Sequence, residues 1–224
     1  MRWGGILVGV VCTACTGQSL YTTPRTAPDD ASQWTLAPEA QFRTRHWKPA
    51  PGPDGAAERI PQWAPALVAD YRSGVGERGE IGLHAGLADA FGVDVKWNAV
   101  RTEPFDLALM GRVVLSVAQT QKREGETRDD GAGGRVLVHL PLLLGFNAGP
   151  VTFVASPGGA VAVDAHGATL AARIGLGIQF RLAPWFALQP EATWMTDVAG
   201  PSDLGVATAG LGILFAHLPR YAAE

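Results

Sequence analysis

Cysteine is almost missing from this chain: of 224 residues only Cys12 and Cys15 are cysteines, and both lie in the opening segment. No disulfide can staple whatever folds downstream. Charge is scarce too. Charged residues make up 17% of the chain and the formal net charge is −3, which leaves no basic footprint for nucleic acid. No run approaches the roughly 20 consecutive apolar residues of a transmembrane helix. The signatures of catalysis are also lacking. The five histidines, His46, His84, His139, His166 and His217, show no close metal-ligand spacing such as HExxH, and neither a phosphate-cradling glycine loop nor a GxSxG elbow is present. The sequence gives reason to expect neither a metal nor a cofactor. What it has in quantity is apolar residues (47%) and glycine (28 residues), too apolar a mix for a disordered chain.

The amino terminus carries one positive residue, Arg2, a short apolar run from Trp3 to Val11, and then Cys12-Thr13-Ala14-Cys15. This resembles a bacterial lipoprotein signal with its lipobox. The resemblance implies that residues 1–15 are an export signal, that cleavage falls before Cys15, and that a diacylglycerol is attached to its thiol as a lipid anchor. Cys12 stands where that motif usually has leucine or another aliphatic residue, and an ordinary cleaved signal fits the same run. Residues 16–31, with Pro24, Pro28 and no apolar periodicity, read as a flexible tether.

From about Gln33 the dominant period is two. Trp34, Leu36, Pro38, Ala40 and Phe42 fall on one face, with Gln33, Thr35, Glu39, Gln41 and Arg43 on the other. Ile81, Leu83 and Ala85 oppose Glu80, Gly82 and His84. Val93, Val95 and Trp97 oppose Asp94 and Lys96. The pattern recurs from Phe105 to Val117 and from Leu170 to Arg181. Side chains that alternate between two faces belong to strands. Within the strand expected from Arg135 to Asn147, Pro141 lacks a ladder donor and predicts a bend or an unpaired point. Ser156-Pro157-Gly158-Gly159 interrupts the next strand, as a bulge within one or a hairpin tip between two. Counted as a bulge it gives ten strands, with long polar loops near 47–62 and 120–134 alternating with tight connections. Eight or twelve strands are the alternatives.

A soluble sandwich alternates as well, so the charged face has to decide. Glu39, Arg43, Asp70, Arg72, Glu80, His84, Asp94, Lys96, Asp106, Arg112, His139, Arg173, Arg181 and Glu191 share the polar faces with many glycines. Both signs recur, which suits pairing inside a narrow lumen. Trp34, Trp47, Trp63, Trp185 and Trp194 lie near expected strand ends, where amphipathic rings favour the membrane interface. The expectation is an all-β, antiparallel, up-and-down transmembrane β-barrel over residues 32–217, with a short tail at 218–224.

Three segments strengthen this. Leu20-Tyr21-Thr22-Thr23-Pro24-Arg25-Thr26, the strand–turn–strand run from Tyr71 to Gly82, and Asp94-Val95-Lys96-Trp97 resemble small outer-membrane barrel proteins of Gram-negative bacteria. The resemblance implies an outer-membrane location and lipid as the surrounding partner. It implies no activity. Phe215 closes the last strand, whereas many such barrels end their chain on an aromatic residue.

The leading expectation is thus a barrel with a structural or narrow passive-permeation role and no chemistry of its own. A lipid-modifying enzyme using His84 or His139 as base is one alternative. A lipid-tethered soluble barrel that binds an apolar ligand is another.

Overall fold

A computed structural model of the chain describes residues 18–43, 63–86, 90–118, 133–164, 167–199 and 205–216. The proposed anchor Cys15, the tryptophan Trp47 and the tail 218–224 lie outside these residues. The backbones of Arg43 and Trp63 are placed but their side chains are outside the description.

The alternating stretches all become strands: β1 (Ser32–Arg43), β2 (Trp63–Val75), β3 (Gly79–Gly86), β4 (Ala90–Arg101), β5 (Phe105–Ala118), β6 (Gly133–Ala148), β7 (Val151–Ala155), β8 (Gly158–Asp164), β9 (Gly167–Ala183), β10 (Phe186–Ala199) and β11 (Gly205–Ala216). Every neighbour in the ring is antiparallel, and β1 closes on β11 in a register that sets Trp34 opposite Phe215 and Glu39 opposite Gly210. No edge is left open. The segments β7 and β8 are two halves of a single stave between β6 and β9, so the closed barrel has ten strands.

The two irregularities expected from the sequence face each other. β6 pairs with β8 through Val136–Pro141 and with β7 through Leu144–Ala148, so Pro141 sits opposite the Ser156-Pro157 break. A residue without an N–H is accommodated where its neighbour leaves the ladder. The pairing is bridged by Leu142 N–H donating to Pro157 O (2.8 Å), while Ser156 and Gly175 exchange both backbone bonds. Gly158 belongs there because a Cβ on it would stand 2.6 Å from Leu140 O and 2.7 Å from Pro141 Cα.

One end of the barrel carries the tight connections after β2, β4, β6 and β9, together with the start of β1 and the end of β11. In the turn between β6 and β7, Gly149 takes φ +61°, a conformation glycine adopts without penalty. The strand ends Arg43, Trp63, Ala118 and Gly133, which flank the longer sequence intervals, lie at the opposite end.

Large apolar side chains point outward. Leu140, Val95 and Leu176 are 63%, 61% and 59% exposed, while Asp70, Arg72, Arg112, His84 and His139 are buried in the interior. This reverses a water-soluble core and excludes the soluble-barrel alternative. Aromatic rings gather at the short-turn end. Trp34 packs on Tyr71 with centroids 4.7 Å apart, and Phe186 contacts both Trp185 and Phe215.

The interior is not empty. Residues 18–27, read from the sequence as part of a flexible tether, lie buried within the barrel. The misreading has a physical reason. This segment is held by contacts with many separate strands, and such contacts impose no period on its own sequence.

Candidate functional site

The site is the lumen and the extended segment it encloses. Along that segment the wall contacts descend in order. Arg173 Nη2, midway along β9, donates to Gln18 O (2.8 Å), Arg112 Nη1 to Ser19 O (3.0 Å) and Arg72 Nη2 to Leu20 O (3.4 Å). Lys96 Nζ then reaches Thr22 Oγ1 (2.8 Å) and Thr23 O (3.0 Å), and Asn98 Nδ2 reaches Pro24 O (3.1 Å). Lower still, Arg25 pairs with Asp106 (3.2 Å) and Ala27 N–H donates to Glu80 Oε2 (2.9 Å). The chain leaves at the short-turn rim, where Asp29 bridges to Gly74 and its carboxylate accepts from Gly76 N–H (2.8 Å).

The grip is tightest at Tyr21. Leu20 N–H and Tyr21 N–H donate to the two oxygens of Glu191 at 2.7 and 2.8 Å. Two successive amides converge on one carboxylate, and at this point the backbone turns left-handed, with Tyr21 at φ +42°. Such a concave pair of N–H groups is an anion nest. Left-handed backbone is costly for a tyrosine, so the surrounding contacts must hold it. The ring fits against β11 only because Gly210 and Gly212 have no side chain: a Cβ on Gly212 would lie 2.7 Å from Tyr21 Cδ1, and one on Gly210 would collide with Tyr21 Oη. Gly145 makes the same allowance for Pro24, whose Cγ would be 2.8 Å from an added Cβ.

Around this segment the charged residues form a connected network. Arg72 makes a fork to Asp94, Nη1 to Oδ1 at 2.7 Å and Nη2 to Oδ2 at 3.2 Å, and also approaches Glu80 (3.4 Å). Arg112 joins Asp94 Oδ2 and Asp70 Oδ1, each at 3.2 Å, and Lys96 pairs with Glu80 at 2.7 Å. Arg72, Lys96 and Arg112 thus oppose Asp70, Glu80 and Asp94, a balanced set, as buried charges require. His84 Nδ1 lies 2.9 Å from Asp70 Oδ1. A second chain runs from Gln179 through Gln189 (3.1 Å) to Glu191 (3.3 Å). Asn147 Nδ2 donates to Asp106 Oδ2 (2.7 Å).

Of the residues expected to line the lumen, the structure brings together Asp70, Arg72, Glu80, His84, Asp94, Lys96 and Arg112, and it places Glu39, Asp106, His139, Arg173 and Glu191 on the same buried surface. Glu39 faces the Tyr21 phenol. Arg181, near the short-turn rim, is only half-buried. Among the expected interface aromatics, Trp34, Trp185 and Trp194 are exposed on the outer surface. Sequence reasoning missed the segment 18–27 and Gln189, and it put Asn98 and Gln179 on polar strand faces without counting them in the site. The available signal was the set of glycines at lumen positions inside β6 and β11, where no turn calls for them.

Chemically, this arrangement grips a peptide main chain. His139 is buried and no hydrogen bond reaches its ring among the described residues, and no hydroxyl bonds to His84. Asp70 orients His84, but among the described residues neither histidine has a nucleophile within hydrogen-bond reach, and a catalytic constellation needs one. Among the described residues no cluster of His, Cys, Asp or Glu could hold a metal ion.

No protein-family model matches the chain, and no curated protein matches it in sequence. Solved structures do resemble it. The β domain of the Bordetella autotransporter BrkA superposes with a TM-score of 0.51 at 11% identity, over 84% of this chain and 99% of that one. Ail, the attachment invasion locus protein of Yersinia pestis, gives 0.35 at 12% identity over 84% and 99%. The outer membrane protease OmpT from Escherichia coli gives 0.44 at 11% identity over 89% and 99%. What the chain shares with them is its architecture, the closed antiparallel β-barrel of Gram-negative outer-membrane proteins.

Proposed function

We propose that the protein is an integral outer-membrane barrel of a Gram-negative bacterium with a structural role, its lumen closed by its own amino-terminal segment. The observation that carries this reading is the burial of Leu20 to Ala27 among paired charges inside the barrel. Of the two roles expected from the sequence, structural and permeation, a filled lumen supports the first. Small barrels are already narrow, and an enclosed segment with balanced ion pairs leaves little path for solute. The lipid-modifying alternative gains nothing from His84 and His139, both fully buried.

The test is conductance. Purified protein inserted into planar bilayers is expected to be silent at moderate voltage while showing heat-modifiable migration on gels. Steady ion steps from folded, intact protein would overturn the closed-lumen reading. Acylation of Cys15 is a separate part of the proposal. Labelled palmitate is expected to enter the wild type and not the Cys15→Ser variant.

A further inference from the structure

The wall contacts to residues 18–27 are directed mainly at the backbone. Arg173, Arg112 and Arg72 each reach a successive carbonyl, those of Gln18, Ser19 and Leu20. Glu191 and Glu80 accept from the amides of Leu20, Tyr21 and Ala27. A segment merely trapped in the lumen would not have consecutive carbonyls met by consecutive guanidinium groups. Two recesses then fix which residue sits where, the Gly210 and Gly212 seat for Tyr21 and the Gly145 seat for Pro24. Main-chain bonds supply affinity and side-chain pockets supply register, the division of labour seen wherever extended peptides are recognised.

We propose that the lumen wall is a binding site for an extended peptide, with residues 18–27 as its resident ligand, so that a free peptide of the same sequence takes the same seat. This rests on the closed-lumen reading. It adds that closure is a binding equilibrium rather than a fixed part of the core. In the intact chain the short connection to β1 holds the segment at an effective concentration on the order of millimolar. Cutting that connection removes the advantage and exposes the intrinsic affinity of the seat.

The structure offers a place to cut. Pro28, Asp29 and Asp30 are exposed at the short-turn rim, just beyond the buried stretch. A protease recognition sequence inserted between Asp29 and Asp30 of the full-length chain allows cleavage after folding in detergent. The cut protein is then incubated with a fluorescent synthetic peptide of residues 18–29, just below the temperature at which the folded gel band is lost. The expected result is saturable uptake of labelled peptide with release of the original segment. A Tyr21→Ala peptide should bind at least tenfold more weakly, and a scrambled peptide should not be taken up. These variants lie in the peptide, so barrel folding does not confound them. The inference is overturned if the folded, cut barrel takes up no labelled peptide, or takes up scrambled and native peptides alike. A bilayer recording on the uncut protein separates the two failures. A silent intact protein without exchange sinks only the peptide site, whereas a conducting one sinks the closed lumen beneath it.

Discussion

Arg72, with Arg112, stands at the centre of the lumen network. The Arg72 guanidinium forks onto Asp94, approaches Glu80 and reaches Leu20 O, all residues at 3% exposure or less. Arg72→Met removes the cation and leaves an excess of buried carboxylate over Lys96 and Arg112. Truncating one partner of a buried network costs about 3–5 kcal/mol, because the remaining charge is stranded. The expected outcome is a lower urea midpoint for the folded, heat-modifiable band, with little dependence on salt, since screening acts weakly on enclosed pairs. Arg72→Lys should recover only part of this, because an ammonium cannot span both oxygens of Asp94. Tyr21→Ala acts from the other side of the same contact. It empties the recess beside Gly210 and Gly212, and large-to-small changes at buried aromatics typically cost about 3–5 kcal/mol, reduced here to the extent that the segment itself can shift. In a bilayer, the same variant is expected to flicker open where the wild type is silent.

At the scale of the element, the β6–β8 seam shows what a sequence reveals and what it hides. Gly158 is needed by close approach to the Leu140 and Pro141 backbone, whereas nothing lies within 4 Å of a Cβ built on Gly134. Gly158→Val should therefore force β6 and β8 apart and destabilise the barrel by about 1–3 kcal/mol, with Gly134→Val near neutral. Paired urea titrations of the two variants check this. Both irregularities of this seam were legible beforehand, because proline and a Pro-Gly-Gly run break a two-residue period visibly. Their facing each other was not, since register between strands is a long-range property. The strands β3, β4 and β9 were legible for the same local reason: apolar and polar or glycine residues alternate through most of their length, and each side chain's surroundings follow from its parity. Residues 18–27 were illegible because Thr22, Thr23, Pro24 and Thr26 carry no parity at all. Their order comes from Arg173, Arg112, Arg72, Lys96 and Glu191, which lie on five different strands. Candidate site residues on the wall could be named from face parity, but what they bind could not.

For the whole molecule, the decisive quantity is the apolar perimeter. Trp34 and Phe42, both outward on β1, are separated by about 26 Å of strand at about 3.3 Å per residue, or about 20 Å along the barrel axis at a tilt near 40°. That is close to the ~25 Å apolar band of outer-membrane barrels, with rings at either margin. Leu176, 59% exposed and near the middle of β9, falls at the centre of this band, while Trp185, 61% exposed, sits in a short turn at its edge. Equal exposure at unequal depth makes a controlled comparison. In water the two positions would tolerate arginine alike. In a bilayer, Leu176→Arg should cost about 2–4 kcal/mol and Trp185→Arg about 0–1 kcal/mol beyond the loss of its ring contact with Phe186. Folding titrations in lipid vesicles should separate the two variants by that difference, and the gap should narrow in short-chain detergent, where the hydrocarbon around Leu176 is thinner and wetter. Equal effects in vesicles would mean that the exposed apolar surface is not a membrane belt. The ion pairs of the lumen would then need another reason to be enclosed.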